Sequence, residues 1–117
     1  MIFAALLEAA ERRELILIDD GLCRWHLRKD GIVVIREILV SPWMWGHGIG
    51  RRMVDDVRAM NPGATIVAKC PVGYEANVFW RTIGFVEVGR TDKVIEWRLE
   101  GESHVDREGV SGGGSRS

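Results

Sequence analysis

Gly46, Gly48 and Gly50 stand at alternate positions between a long apolar run and an amphipathic one. They are the residues of this chain best placed to do chemistry. The β-branched run Ile32–Val40 reads as a buried strand. Ser41-Pro42 ends it, because proline lacks the N–H that a ladder needs. After the glycines, Ile49, Met53, Val54, Val57 and Met60 share one helical face, opposite Arg51, Arg52, Asp55, Asp56 and Arg58. A strand that runs through glycines into a helix aims free backbone N–H groups and the positive end of the helix dipole at one spot, which suits phosphate. Glycine permits close approach of the anion where a Cβ would block it. A P-loop is excluded, since Arg51-Arg52 follows Gly50 in place of Lys-Ser/Thr. The dinucleotide spacing Gly-x-Gly-x-x-Gly is absent as well. A tight turn that binds nothing would share the strand–glycine–helix pattern.

The elements that must position this loop can be read from periodicity. Residues 2–14 carry Ile2, Ala5, Leu6, Ala9 and Ala10 at helical spacing, and Arg12-Arg13 suits a helix C-terminus. Leu15–Ile18 is a short apolar strand, followed by the turn Asp19-Asp20-Gly21. Leu22–Arg28 alternates, with Cys23, Trp25 and Leu27 on one face and Arg24, His26 and Arg28 on the other. Lys29-Asp30-Gly31 is a second hairpin turn. Asn61-Pro62-Gly63 stops the helix after the loop. Thr65–Lys69 is a strand closed by Cys70-Pro71. Residues 75–83 form a helix with Ala76, Phe79, Trp80 and Ile83 inward and Gly84 as its stop. Phe85–Val88 and Val94–Leu99 are two more strands. The order is helix, meander, helix, strand, helix, two strands, a mixed α/β or α+β layer fold. Residues 1–100 read as a single domain. From Gly101 the apolar residues nearly vanish and Ser111–Ser115 is glycine-rich, so 101–117 read as a flexible polar tail.

Composition narrows the class. The chain has 117 residues, 46% hydrophobic and 28% charged, an ordinary balance for one globular domain. A net charge of −1 argues against nucleic acid or an anionic membrane as partner, although Arg24, Arg28, Arg51 and Arg52 could form a local basic patch. Cys23 and Cys70 are too few for a disulfide framework and belong to no Cys/His cluster, so they read as free thiols in a reducing compartment, with no zinc site. The apolar start, Met1 to Ala10, lacks a basic leader and is broken by Glu8 and Glu11. It reads as neither signal peptide nor membrane span, which leaves the cytoplasm by default.

Two stretches together resemble the GNAT (general control non-repressible-related N-acetyltransferase) superfamily. Ile38-Leu39-Val40 followed by Gly48-Ile49-Gly50 is similar to that family's strand end and its Arg/Gln-x-x-Gly-x-Gly/Ala loop. Trp80-Arg81-Thr82-Ile83-Gly84-Phe85, with Ala76 one turn earlier, is similar to its Tyr-x-x-x-Gly-Phe helix end before two final strands. The resemblance covers roughly residues 21–100.

The resemblance implies a co-substrate, acetyl-CoA, and a direct attack of a primary amine on its thioester. The strand Glu37–Val40 would splay from Thr65–Cys70. The pantetheine arm would bond the backbone of Ile38, Leu39 and Val40. Amides of Trp45, Gly46, His47, Gly48, Ile49, Gly50 and Arg51 would hold the pyrophosphate. Ala76, Phe79 and Trp80 would flank the coenzyme. Glu37 is the candidate base, since burial on an apolar strand favours the protonated carboxyl and suits proton transfer near neutral pH. Its pairing with Arg24, Arg28 or Arg36 is the competing reading. His26 and His47 are lesser candidates, one on a solvated strand face and the other a filler of the loop. The sequence departs from the family at Trp45, where a side-chain phosphate donor is lost, at Gly73, where Asn is usual, and at Trp80. The indole of Trp80 can donate a hydrogen bond but cannot supply a proton as the usual tyrosine does. Tyr74 is the candidate acid in its place, or a packing residue at the start of the helix. Trp25, Trp80 and Trp97 read as core. Trp43 and Trp45 read as packing for the loop, an aromatic wall beside the coenzyme or a contact patch. Only one helix precedes residue 15, so the acceptor site is expected to be open or completed by a second subunit. An open site suits a protein lysine or N-terminus, and a second subunit leaves room for a homodimer. A GNAT-fold module that binds CoA or a partner without catalysis is the alternative reading.

Overall fold

The computed structural model describes residues 2–101. The helix α1 (Ile2–Glu11) leads into strands β1 (Leu15–Ile18), β2 (Gly21–Leu27) and β3 (Val33–Val40). A short turn of 3-10 helix (Pro42–Met44) precedes α2 (Ile49–Met60). Strand β4 (Ile66–Pro71), helix α3 (Ala76–Thr82) and strands β5 (Val86–Arg90) and β6 (Val94–Leu99) complete the fold. The six strands form one mixed sheet in the order β1-β2-β3-β4-β6-β5. All neighbours are antiparallel except β3 and β4. That parallel pair needs a crossover, and α2 provides it. The element order matches the sequence reading, and the expected tail lies outside the described residues.

The core is one cluster. Cys23 and Trp25 of β2, Val33 and Ile35 of β3, Met53, Val54 and Val57 of α2, Ile66, Ala68 and Cys70 of β4, Trp80 and Phe85, and Ile95 and Trp97 of β6 bury against one another. The three tryptophans expected in the core are there. Several expected inward residues are not. Met60 closes the last turn of α2 in solvent, Leu27 ends β2 beyond the core, and Ile2, Ala10 and Ala76 are exposed on their helices. Each lies at the end of its element, where periodicity continues but the covering layer does not. Cys70 and Pro71 also lie inside β4, paired with Ile95 and Val94, where a strand end was expected. The Pro71 ring faces away from the β4–β6 ladder, so no bond there is lost. Burial pushes the Cys23 thiol up to about 12 and raises that of Cys70.

Two irregularities open the sheet in its middle. Trp25 pairs with Ile35 but Arg24 with Glu37, so Arg36 is a bulged extra residue in β3. A bulge bends its strand and shifts the alternation by one. Val33 and Ile35 are buried before it, and Ile38 and Val40 face the core after it. On β4, Val72 N–H bonds Lys93 O. With the β4–β6 register, this turns the backbones of Lys69 and Pro71 toward β3. Pro71 offers no N–H there, and a ladder cannot continue through it. The β3–β4 pairing therefore stops after Val33–Ile66, Val34–Val67 and Ile35–Ala68.

Candidate functional site

The opening between β3 and β4 has a backbone-lined wall. Ser41 N–H bonds Asp20 O at 2.8 Å, so Leu39 and Glu37 turn their backbones to β2. Ile38 and Val40 consequently turn theirs into the gap. The Trp45 indole donates to Val40 O at 2.8 Å. The peptide groups of Ile38 and the N–H of Val40 are left there without a protein partner among the described residues, as hydrogen-bonding groups for whatever lies in the gap.

The glycine loop stands at the mouth of this gap. Gly46 and Gly48 adopt φ of 85° and 81°, a left-handed conformation that glycine takes without strain. The space where their Cβ atoms would project is open. Gly48 caps α2 without a side chain, and the first helical bond is Arg52 N–H to Gly48 O. The N–H groups of Ile49, Gly50 and Arg51 therefore precede the helical ladder. The first turn of α2 carries the exposed Arg51 and Arg52 and no acidic residue. Cations there oppose the helix dipole, an arrangement that an anion would offset. Gly50 has a packing role that the sequence did not suggest: a Cβ at this position would lie 2.9 Å from the Phe79 ring, so the glycine lets α2 approach α3.

Side chains tie the loop down. Trp43 Nε1 donates to Asp20 Oδ1 at 3.2 Å, and His47 Nδ1 lies 3.2 Å from Met44 O. Both Trp43 and Trp45 are exposed. Their indoles pin the loop to the β1–β2 turn and to the end of β3, with the rings facing solvent.

Glu37 lies on the face of β3 opposite Ile38, and its Oε1 accepts from Arg24 Nε at 3.0 Å. The surroundings differ from the apolar strand that suggested a base. The partner is a cross-strand guanidinium, and about a third of the Glu37 side chain (32%) is exposed. His26 bonds Glu14 on the same solvated side, as its alternation suggested. Tyr74 is exposed in the turn after β4 and its N–H bonds Pro71 O. Trp80 is 3% exposed, packed edge to face on Phe79 and Phe85. Its indole N–H has no partner among the described residues.

Asn77 was not anticipated. Its Nδ2 donates to Pro71 O at 2.9 Å and Tyr74 O at 3.0 Å, and its Oδ1 accepts from Trp97 Nε1 at 2.8 Å. One amide thus joins the end of β4, the Tyr74 turn and β6. A polar residue near a helix start carries no distinguishing sequence pattern. The bulge at Arg36 did leave a signal, because the apolar alternation Val33, Ile35 changes phase to Ile38, Val40. A surface hollow lined by Asp55, Arg58, Asn61, Pro62 and Gly101 lies at the C-terminal end of α2, away from the loop. No described helix is long and apolar enough to cross a membrane.

No protein-family model matches the chain, and no curated protein does. Solved structures do. A Bacillus anthracis protein named as a candidate streptothricin acetyltransferase, solved with acetyl coenzyme A, superposes with a TM-score of 0.67 at 19% identity. The match spans 83% of this chain and 69% of that one. The ribosomal-protein-S18-alanine N-acetyltransferase of Escherichia coli gives 0.61 at 15% identity, over 77% of this chain and 72% of that one. Arabidopsis thaliana Naa50, solved with the bisubstrate analogue CoA-Ac-MVNAL, gives 0.54 at 17%, over 69% and 65%. Residues 2–101 have the fold of the GNAT acetyltransferases.

Proposed function

We propose that this chain binds acetyl-CoA at the Trp45–Arg51 loop and the β3–β4 gap, and transfers its acetyl group to a primary amine. The observation that carries this reading is the union of two features at one end of the sheet. A strand edge with unpaired groups, the peptide groups of Ile38 and the N–H of Val40, opens beside a helix N-terminus with left-handed glycines and two arginines. A phosphate-terminated amide chain such as pantetheine pyrophosphate needs both: peptide groups along its length and N–H groups at its end. The backbone of Ile38 and Val40 bonds the arm, with Leu39 between them. Amides of Gly46, Gly48, Ile49 and Gly50 take the pyrophosphate, while the His47 N–H is given to Met44 O within the loop. Ala76, Phe79 and Trp80 flank the coenzyme.

When bound, the thioester supplies an activated acyl group. The amine nitrogen bonds the acyl carbon as the carbon–sulfur bond breaks. Glu37, held by Arg24, takes the amine proton through water. Tyr74 returns a proton to the departing sulfur, a modest demand because a thiolate is stable at a reference pKa of about 8.5. The acceptor is an amine on a protein. The exposed sheet face around Leu17 and Leu39 leaves room for a macromolecule, and the Escherichia coli and Arabidopsis neighbours are named for, or solved with, protein or peptide acceptors.

A second reading has support of its own. Glu37 is engaged with Arg24, and the tyrosine position holds a buried Trp80. Both fit a module that binds CoA or a partner without catalysis. Calorimetric titration with acetyl-CoA and CoA, followed by assay of thiol release, separates the two. Saturable binding with thiol release and amine acetylation supports the transferase. Binding with no release under any amine supports the module. Absence of binding to either ligand refutes the transferase and the CoA-binding module, and leaves only a module that binds a partner.

A further inference from the structure

The first strand of the sheet is an open edge. Trp25 N–H bonds Glu14 O at 3.0 Å, which sets the alternation along β1. With Leu15 opposite Arg24 and Leu17 opposite Leu22, residues 14, 16 and 18 turn their backbones to β2. Leu15 and Leu17 turn their N–H and C=O groups outward, with no partner among the described residues. Protein edges are usually blunted by lysine, proline or a bulge. Leu15-Ile16-Leu17-Ile18 has none of these, and Leu17 is 70% exposed.

The flanks of this strand are charged in opposite senses. Arg12-Arg13 precedes it and Asp19-Asp20 follows it. A basic–apolar–acidic strand is its own antiparallel complement. We propose that β1 pairs with β1 of a second copy of this chain, about a two-fold axis at Ile16. Only a register that sets outward-turned residues opposite one another closes the ladder. About Ile16, Leu15 of each copy faces Leu17 of the other, and each such pair exchanges both backbone bonds. Beyond the strand the same axis brings the Arg12-Arg13 turn that ends α1, with Arg13 at φ 59°, next to the Asp19-Asp20 hairpin turn of the other copy, on both sides of the axis. Neither Arg13 nor Asp19 has an ion pair among the described residues. Glu14 faces Ile18, and its carboxylate is already held by His26 and the Leu27 N–H.

The side chains agree with the backbone. Leu17, Leu22 and Leu39 lie in register across three strands on one sheet face. A two-fold axis perpendicular to the sheet preserves that face and adds Leu15 of the second copy to the row. A stable interface buries about 800 Å² per partner, more than a four-residue strand supplies. Exposed Ile2, Phe3 and Leu7 of α1, which lies against β1 and β2, add apolar surface.

The test uses the full 117-residue chain in sedimentation equilibrium. The wild type is expected to be a dimer at micromolar concentration. Arg13→Asp and Asp19→Arg each juxtapose like charges twice and weaken self-association at least about tenfold. Mixed in equal amounts, the two variants pair with each other, because the turns brought together at each end of the strand pair are then opposite in sign at positions 13 and 19. Leu17→Pro removes an outward N–H without touching the β1–β2 ladder, and gives a folded monomer by circular dichroism. A monomeric wild type, a dimer indifferent to Arg13→Asp, or variants that fail to pair when mixed would each overturn the proposal.

Discussion

At position 50 a single methyl group decides how closely two helices pack. Alanine there would gain roughly 1 kcal/mol of helix propensity. Its Cβ would also press to 2.9 Å on Phe79, whose ring is held edge to face against Trp80. Overpacking costs about 1–3 kcal/mol, so Gly50→Ala is expected to lower the urea midpoint, and Phe79→Leu in the same chain to restore much of it. An unchanged midpoint in the single variant would show that the ring gives way freely. The three glycines were legible in the sequence but their separate duties were not. Gly46 and Gly48 answer to backbone conformation, Gly50 to a residue 29 positions later, and local spacing cannot tell these apart. The same limit applied to Glu37. Arg24 was one of three candidate partners in the ion-pair reading of Glu37, and only the cross-strand register chose among the three.

Helix α3 is short and weakly covered, so the bonds that orient it matter more than its propensity. Asn77 supplies them. Replacing it by alanine strands the indole N–H of Trp97, a residue 1% exposed, and a buried unpaired donor costs about 1–3 kcal/mol. Asn77→Ala should lose stability by that amount. Combining it with Trp97→Phe should cost less than the sum of the two, since the phenylalanine has no donor to leave unpaired. Strict additivity in that cycle would remove Asn77 from its role. Elements of this kind were found in the sequence from their apolar period, and their existence was correct throughout. Their ends were less visible. Leu27, Met60 and Ala76 continue a period past the layer that covers it, and Pro71 reads as a stop although its ring merely faces the gap.

At the scale of the molecule, the order of elements and the glycine-to-helix junction were enough to reach the fold, because a strand–helix–strand crossover after an antiparallel meander leaves few ways to assemble one sheet. The break within that sheet was expected from the resemblance but not from local periodicity, since it arises from a bulge on one strand and a proline on its neighbour. Its consequence is mechanical. Two three-stranded leaves, β1–β2–β3 and β4–β6–β5, are joined along three residue pairs and by the crossover through α2. Amides in the middle of a sheet normally exchange with deuterium only on global unfolding. Those of Ile38 and Val40 should exchange orders of magnitude faster than those of Val34 and Val67, which lie within the ladders. Acetyl-CoA should slow Ile38 and Val40 in particular. The molecule would then carry in its centre a strip of solvent-labile backbone whose protection reports occupancy residue by residue, without any assay of chemistry.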